Sequence, residues 1–301
     1  MSTETVTSGH AWFPVTSCDA RCVVAPLPNA LGWLRPLWRL PAAVLLLIVL
    51  PVLTIPVPGN RAVRKSYCRL LLRSLGVRLT VTGDPVRNLP GVLVVSNHMS
   101  WSDVLVIGAV LPGTFVARAD LVDWPLIGWA ARLMNVISID RARLRSLPEV
   151  VAAVAQRLRD GRTVIAFPEG TTHCGPDRGR FHPAVFQSAV DTGRPVQPLH
   201  LRYRYRDGTP STATAFLGAD SLWASLKRVT RTRSTIAEIA VLPLQLPDGC
   251  RRELATRCEE AVRPRAPLPA RLSTRRTVDE HLSRTPTWFG AQPIRAAESA
   301  Q

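Results

Sequence analysis

Lysine is almost missing from this chain. Lys65 and Lys227 are the only two in 301 residues, although lysine and arginine together number 38 against 22 acidic residues. Arginine therefore carries a formal net charge of +16 and a pI of about 11.1. A coding bias accounts for arginine over lysine, but not for the excess of one sign. That excess points to an anionic partner: a phospholipid surface, a nucleic acid or a phosphorylated substrate. Cysteine is also sparse. Six scattered thiols exclude a small cross-linked secreted fold and imply reduced side chains. Cys18-x3-Cys22 with His10 upstream resembles half of a metal site, but no second closely spaced pair completes four ligands, so no metal is expected. No glycine-rich phosphate cradle occurs, since Gly91, Gly108 and Gly113 are dispersed, and no internal repeat is found. The first 28 residues lack a basic segment followed by an apolar core, so no cleavable signal peptide is expected.

One long apolar run is present. Residues 40–57 are uncharged and flanked by Arg35 and Arg39 before, and by Arg61, Arg64 and Lys65 after. A straight helix of that length reaches about 27 Å, short of a hydrocarbon core of about 30 Å. Pro41, Pro51 and Pro56 would bend it. Both a span and a bent segment in one leaflet stay open, with Trp33 and Trp38 as interfacial anchors.

Four parts are expected along the chain: a flexible extension over 1–30, a membrane-anchoring helical segment over 31–75, an α/β domain over 76–247, and a helix with a basic disordered tail over 248–301. Residues 61–75 read as an amphipathic helix with an apolar face of Val63, Tyr67, Leu70 and Leu71. From Val77 on, strand-like runs (VRLTVTG, GVLVVSN, TFVAR, VISID, TVIAFPE, VQPLHLRY, TATAFLG, IAEIAVLPLQL) alternate with helices over 101–111, 126–134, 147–160 and 251–262. The alternation predicts an α/β fold: a mixed central sheet flanked by helices and preceded by N-terminal membrane-associated helices.

Two polar motifs sit at predicted strand ends. After Val92-Leu93-Val94-Val95 comes Asn97-His98-Met99-Ser100-Trp101-Ser102-Asp103. A neutral imidazole can take a hydroxyl proton, and a carboxylate on its other nitrogen fixes the tautomer. A His-x4-Asp arises by chance in roughly one chain of this composition in four, so its surroundings decide. A regular helix would leave the two side chains about 140° apart, so pairing requires a turn before the helix, which Ser100 or Ser102 would cap. The second motif, Phe167-Pro168-Glu169-Gly170-Thr171-Thr172, follows TVIAF. There Glu169 is placed to bind substrate hydroxyls or orient the loop, and Gly170 to bring backbone N–H groups near a developing oxyanion.

Together NHMSWSD, VARADL, WPLIGWAARLMNVISIDR, FPEGTT and PVQPLHLRY, over residues 61–244, resemble the four ordered blocks of the glycerophospholipid acyltransferase family, whose members include bacterial 1-acyl-sn-glycerol-3-phosphate acyltransferases. The resemblance implies that His98 is the general base for an acceptor hydroxyl and that Asp103 orients it. It implies acceptor contacts from Arg141 and Arg118, an acceptor-binding block containing Glu169, Gly170, Thr171 and Thr172, and an acyl-chain region shaped by Pro198. It implies no cofactor, with acyl-CoA or acyl carrier protein as the acyl donor. The implied partners are a lysophospholipid acceptor and an anionic membrane surface, without nucleic acid, and the implied location is the cell membrane with the active site facing the cytoplasm. The acceptor most in keeping with the family is 1-acyl-sn-glycerol-3-phosphate, giving phosphatidic acid. Thr172 stands where the third block usually has arginine, a departure resembling the enzymes that acylate lyso-ornithine lipids, with Arg178 or Arg180 as substitutes from the next loop. Readings of other classes are a noncatalytic basic membrane- or nucleic-acid-binding protein, and a metal hydrolase using His98, Asp103, Glu169 and His173.

Overall fold

Seven short apolar runs form one seven-stranded sheet in this computed structural model, which describes residues 14–23, 32–51, 60–87, 89–120, 125–140, 143–218 and 220–263. The strands are β1 (Val77–Gly83), β2 (Leu93–Ser96), β3 (Thr114–Arg118), β4 (Ile137–Ile139), β5 (Val164–Ala166), β6 (Val196–Arg204) and β7 (Thr235–Val241). Their order is β1-β7-β6-β2-β5-β3-β4. Neighbours run parallel except β6 and β7, which pair antiparallel from Leu199↔Val241 to Arg204↔Ile236. The expected mixed α/β sheet flanked by helices is therefore present.

Central β2 is buried along its whole length, as a strand covered on both faces requires. Its alternation assigns the two cores. Val92 and Val94 join α1 (Arg35–Val49), α2 (Asn60–Ser74) and α3 (Asp103–Gly108) on one face. Leu93 and Val95 join α5 (Leu147–Arg159), α6 (Phe186–Thr192) and α8 (Arg251–Val262) on the other. Two further helices, α4 (Pro125–Leu133) and α7 (Leu222–Arg231), complete the set among the described residues.

One buried side chain ties the first helix down at four points. Arg39, 5% exposed, donates to the carbonyl oxygens of Thr230 (2.8 Å), Thr232 (2.7 Å), Arg233 (3.1 Å) and Leu75 (3.5 Å). Burial pushes its guanidinium pKa down. Gly76 leaves it room: at φ +83°, a Cβ there would stand 2.3–2.5 Å from the guanidinium. The opposite side of α1 is bare, with Leu37, Val44, Leu45 and Ile48 each more than half exposed at helical spacing, near exposed Trp33 and Trp38.

Some expectations are corrected, and others fall outside the described residues. No helix among the described residues is long and apolar enough to cross a membrane, and residues 52–57 of the apolar run lie outside the described set. Residues 1–13, 24–31 and 264–301 lie outside it too, and with them most of the expected N-terminal extension and the C-terminal tail. In α2 the buried face is Tyr67, Leu71 and Leu72, while Val63 and Leu70 point outward. The TATAFLG run is a buried loop, not a strand. Arg228 occupies the carbonyls of Ala213 (2.9 Å) and Ala215 (2.6 Å), so they never reach a ladder. The basic stretch before β7 is largely α7, capped by Ser221, whose hydroxyl accepts from the Ala224 N–H at 3.2 Å.

Candidate active site

Because β2, β3, β4, β5 and β6 point the same way, their carboxyl ends gather on one edge of the sheet, where α/β folds place their sites. Asn97 continues the β2–β6 contact with its side chain: Nδ2 donates to Leu201 O (2.9 Å) and Oδ1 accepts from Leu201 N–H (2.8 Å). The main chain is thus free to turn, and His98 occupies the turn.

Asp103 opens α3 and is fully buried. Its Oδ2 accepts from His98 Nδ1 (2.9 Å) and from the N–H groups of Met99 (2.7 Å) and Ser100 (2.8 Å). Its Oδ1 accepts from the Tyr203 hydroxyl at 2.7 Å. Four donors on one carboxylate compensate the cost of burying its charge. With Nδ1 donating to Asp103, the lone pair of Nε2 is left to accept a proton. The expected serine cap does not form. Ser102 holds the cap position without a side-chain bond to the helix; its hydroxyl turns to Ser100 and Tyr203 instead.

The second motif grips the base from the other side. Phe167 stacks on the His98 ring at 3.9 Å and 14°, with Phe115 behind it. Glu169 Oε2 accepts the His98 backbone N–H at 2.8 Å, and His98 O accepts the His173 N–H at 2.8 Å. Glu169 is 3% exposed, and its burial pushes the carboxyl pKa up to about 8 against the N–H groups of His98 and Gly179 and the charge of Arg178. Ring face, Nδ1, backbone N–H and backbone carbonyl of His98 are therefore all fixed, while its side chain keeps 16% of its surface open.

The remaining sequence-predicted residues sit at different distances from this centre. Gly170 adopts φ +74° beneath Pro14, and its N–H donates to Phe167 O at 3.1 Å, so that N–H is not directed at an oxyanion. Half-buried Thr171 follows it, and Thr172 donates its hydroxyl to Phe216 O at 2.5 Å. Arg118 closes β3 on the same edge in a two-point pair with Asp120, at 2.8 and 2.5 Å. Pro198 lies inside the sheet opposite Val95, three positions before Leu201. Arg141 lies outside the described residues. Arg178, the proposed stand-in, donates to Val262 O (3.1 Å) and Gly175 O (3.3 Å); Arg180 is exposed. Tyr203 was not expected here. Its signal lies in β6, where alternation puts Leu199, Leu201 and Tyr203 on one buried face.

This arrangement can hold a neutral imidazole rigidly beside a surface-accessible space, with a proton-accepting nitrogen free. The family model described as acyltransferase matches residues 78–202. The lyso-ornithine lipid O-acyltransferase of Pseudomonas aeruginosa is 36% identical over 207 residues, covering 68% of this chain and 79% of that protein. The 1-acyl-sn-glycerol-3-phosphate acyltransferase of Neisseria meningitidis serogroup B is 35% identical over 181 residues, covering 58% and 70%. The crystal structure of the 1-acyl-sn-glycerophosphate acyltransferase of Thermotoga maritima aligns with TM-score 0.46 and 22% identity, covering 76% of this chain and 94% of that one, a likeness too distant to carry an argument.

Proposed function

Since the chain belongs to the acyltransferase family, we propose that it moves a fatty acyl chain from an acyl thioester, on coenzyme A or acyl carrier protein, to the free hydroxyl of a lysolipid. The observation that carries this reading is the His98–Asp103 pair at the end of β2, with Nδ1 committed and Nε2 open. His98 Nε2 takes the hydroxyl proton as the acceptor oxygen attacks the thioester carbonyl. A C–O bond forms, the C–S bond breaks, and the departing thiolate receives the proton back from Nε2. Asp103 stays ionised and stabilises the imidazolium that forms in between. Positioned base catalysis contributes about 10²- to 10⁴-fold, and holding the two substrates in line contributes much of the rest. Asp103 and Tyr203 are positioning residues in this scheme.

For the acceptor, the side chains favour an amino-acid headgroup such as that of lyso-ornithine lipid over the glycerol phosphate expected first. Thr172 fills the position of the usual arginine and spends its hydroxyl on Phe216 O. Arg118 is paired with Asp120 and Arg178 with main-chain carbonyls. A phosphate monoester calls for charge-assisted donors that these groups do not leave open, which leaves exposed Arg180 alone of the two substitutes. The exposed apolar side of α1 and the exposed Arg61, Arg69 and Arg73 of α2 suit docking on an anionic bilayer, in keeping with a cell-membrane location and a cytoplasm-facing site.

The test is transfer by purified protein in vesicles, with each donor against each acceptor. We expect lyso-ornithine lipid to be acylated faster than 1-acyl-sn-glycerol-3-phosphate. The reverse preference overturns the headgroup assignment, and no transfer to any lysolipid overturns the reading as a whole.

A further inference from the structure

Beside the site lies a cluster of metal-ligating side chains that the transfer reaction does not use. The sulfurs of Cys18, Cys22 and Cys174 lie within 4.8 Å of one another, and Cys18 shares a second such group with His173 and Asp177. All three cysteines are free thiols; Cys18 and Cys174 are buried and Cys22 half-buried. Sequence inspection found only the first pair, because the second, His173-Cys174, arrives from a loop remote along the chain.

We propose that Cys18, Cys22, Cys174 and His173 bind a tetrahedral, zinc-class divalent ion in a closed, structural site. Three thiolates and one imidazole nitrogen form a donor set suited to that class of metal. Sulfurs in a tetrahedral zinc site stand about 3.8 Å apart, so small rotations of the three cysteines close their triangle, and His173, grouped with Cys18 but not with Cys22 or Cys174, must turn towards it to complete the set. A single 3-10 turn, Ala20–Cys22, brings the Cys22 sulfur back towards Cys18. The Cys174 N–H donates to Cys18 Sγ at 3.3 Å, the kind of outer contact that steadies a ligating sulfur. Ala215, Leu217 and Val23 pack around the thiols and limit access of water.

His173 is favoured over Asp177 as the fourth ligand. It is 5% exposed, whereas Asp177 is about half exposed and already accepts the Ser17 hydroxyl. Binding would release the three thiol protons to solvent as the metal–sulfur bonds form.

The consequence is a staple. Residues 14–23 form no strand and only one short turn, yet Pro14 covers Gly170 and Thr16 reaches His173 Nδ1 at 3.3 Å. His173 in turn holds the His98 carbonyl. An ion here would fasten the N-terminal segment across the loop that follows Glu169 and stiffen the backbone of His98.

The test uses the full chain, purified under reducing conditions without chelator, with metal measured by mass spectrometry. We expect about one zinc per chain, and cobalt exchanged into the site should give intense sulfur-to-metal absorption. Cys22→Ser and Cys174→Ser should each lose the zinc and melt at lower temperature, while Cys250→Ser, at an exposed site away from the cluster, should keep both properties. Wild-type protein that stays metal-free after dialysis against zinc overturns the proposal without recourse to any variant. So does zinc content unchanged by both substitutions, or a Cys18–Cys174 disulfide in metal-free protein.

Discussion

The end of β2 and the outer side of α1 treat their side chains in opposite ways. Around His98 the side chains bind one another: Asp103 receives four donors, and Glu169 and Tyr203 are each tied to the same turn. On α1 the large apolar side chains Leu37, Val44, Leu45 and Ile48 are each more than half exposed among the described residues. The first region is organised largely by its own hydrogen bonds. The second leaves its apolar surface open. On the proposed reading, chemistry and location are therefore separable, and a change at one end should leave the other intact.

The sharpest break is Asp103→Asn. With the carboxylate gone, the imidazole loses both its tautomer control and its counter-charge, and acyl transfer should fall by about 10²- to 10⁴-fold. Vesicle co-sedimentation of the same variant should match wild type; a parallel loss of binding would show that the two regions are coupled.

Arg39→Met attacks the join between them. Four main-chain carbonyls lose a charged donor, each at about 1–3 kcal/mol if it stays dry. Denaturant unfolding should show a clear loss of stability, with α1 loosened first in hydrogen exchange. Protection of α1 equal to wild type would count against Arg39 as its anchor.

Glu169→Gln probes the inner region through pH. Its carboxyl is raised to about 8, so the folded state keeps a proton that the unfolded chain gives up near its ordinary value. Folding stability contributed this way is complete at low pH and is lost as pH rises through about 8. The variant should flatten that decline in urea midpoints measured from pH 5 to 9, and an unchanged slope would place the titration elsewhere.

The smallest effect on the fold is expected from Ile48→Asp. The residue is 67% exposed, so stability should move by no more than about 0.5 kcal/mol. Binding to anionic vesicles should nonetheless weaken strongly, and an unchanged partition would mean that α1 is not the membrane-facing element.

Much of this comparison was legible before any coordinates. The β2 and β5 runs are apolar on both faces and end in polar motifs, so His98, Asp103 and Glu169 could be placed at strand ends. Tyr203 was hidden because an aromatic residue in an alternating strand reads as packing. TATAFLG mimicked a strand because its small and polar residues alternate, and nothing local reveals that Arg228 claims its carbonyls. The α7 helix was masked by its composition, since its buried residues are Ser225, Val229 and Thr230. In α2 half of the inner face is legible: Tyr67 and Leu71 are buried as the apolar spacing implies, whereas Val63 and Leu70 are exposed and Leu72 is buried instead.

The most direct test of the central claim is acyl transfer to a lysolipid by His98→Ala, measured beside wild type on the same vesicles. The account predicts that transfer is lost while the protein still binds the vesicles and melts cooperatively. Transfer at the wild-type rate would contradict it.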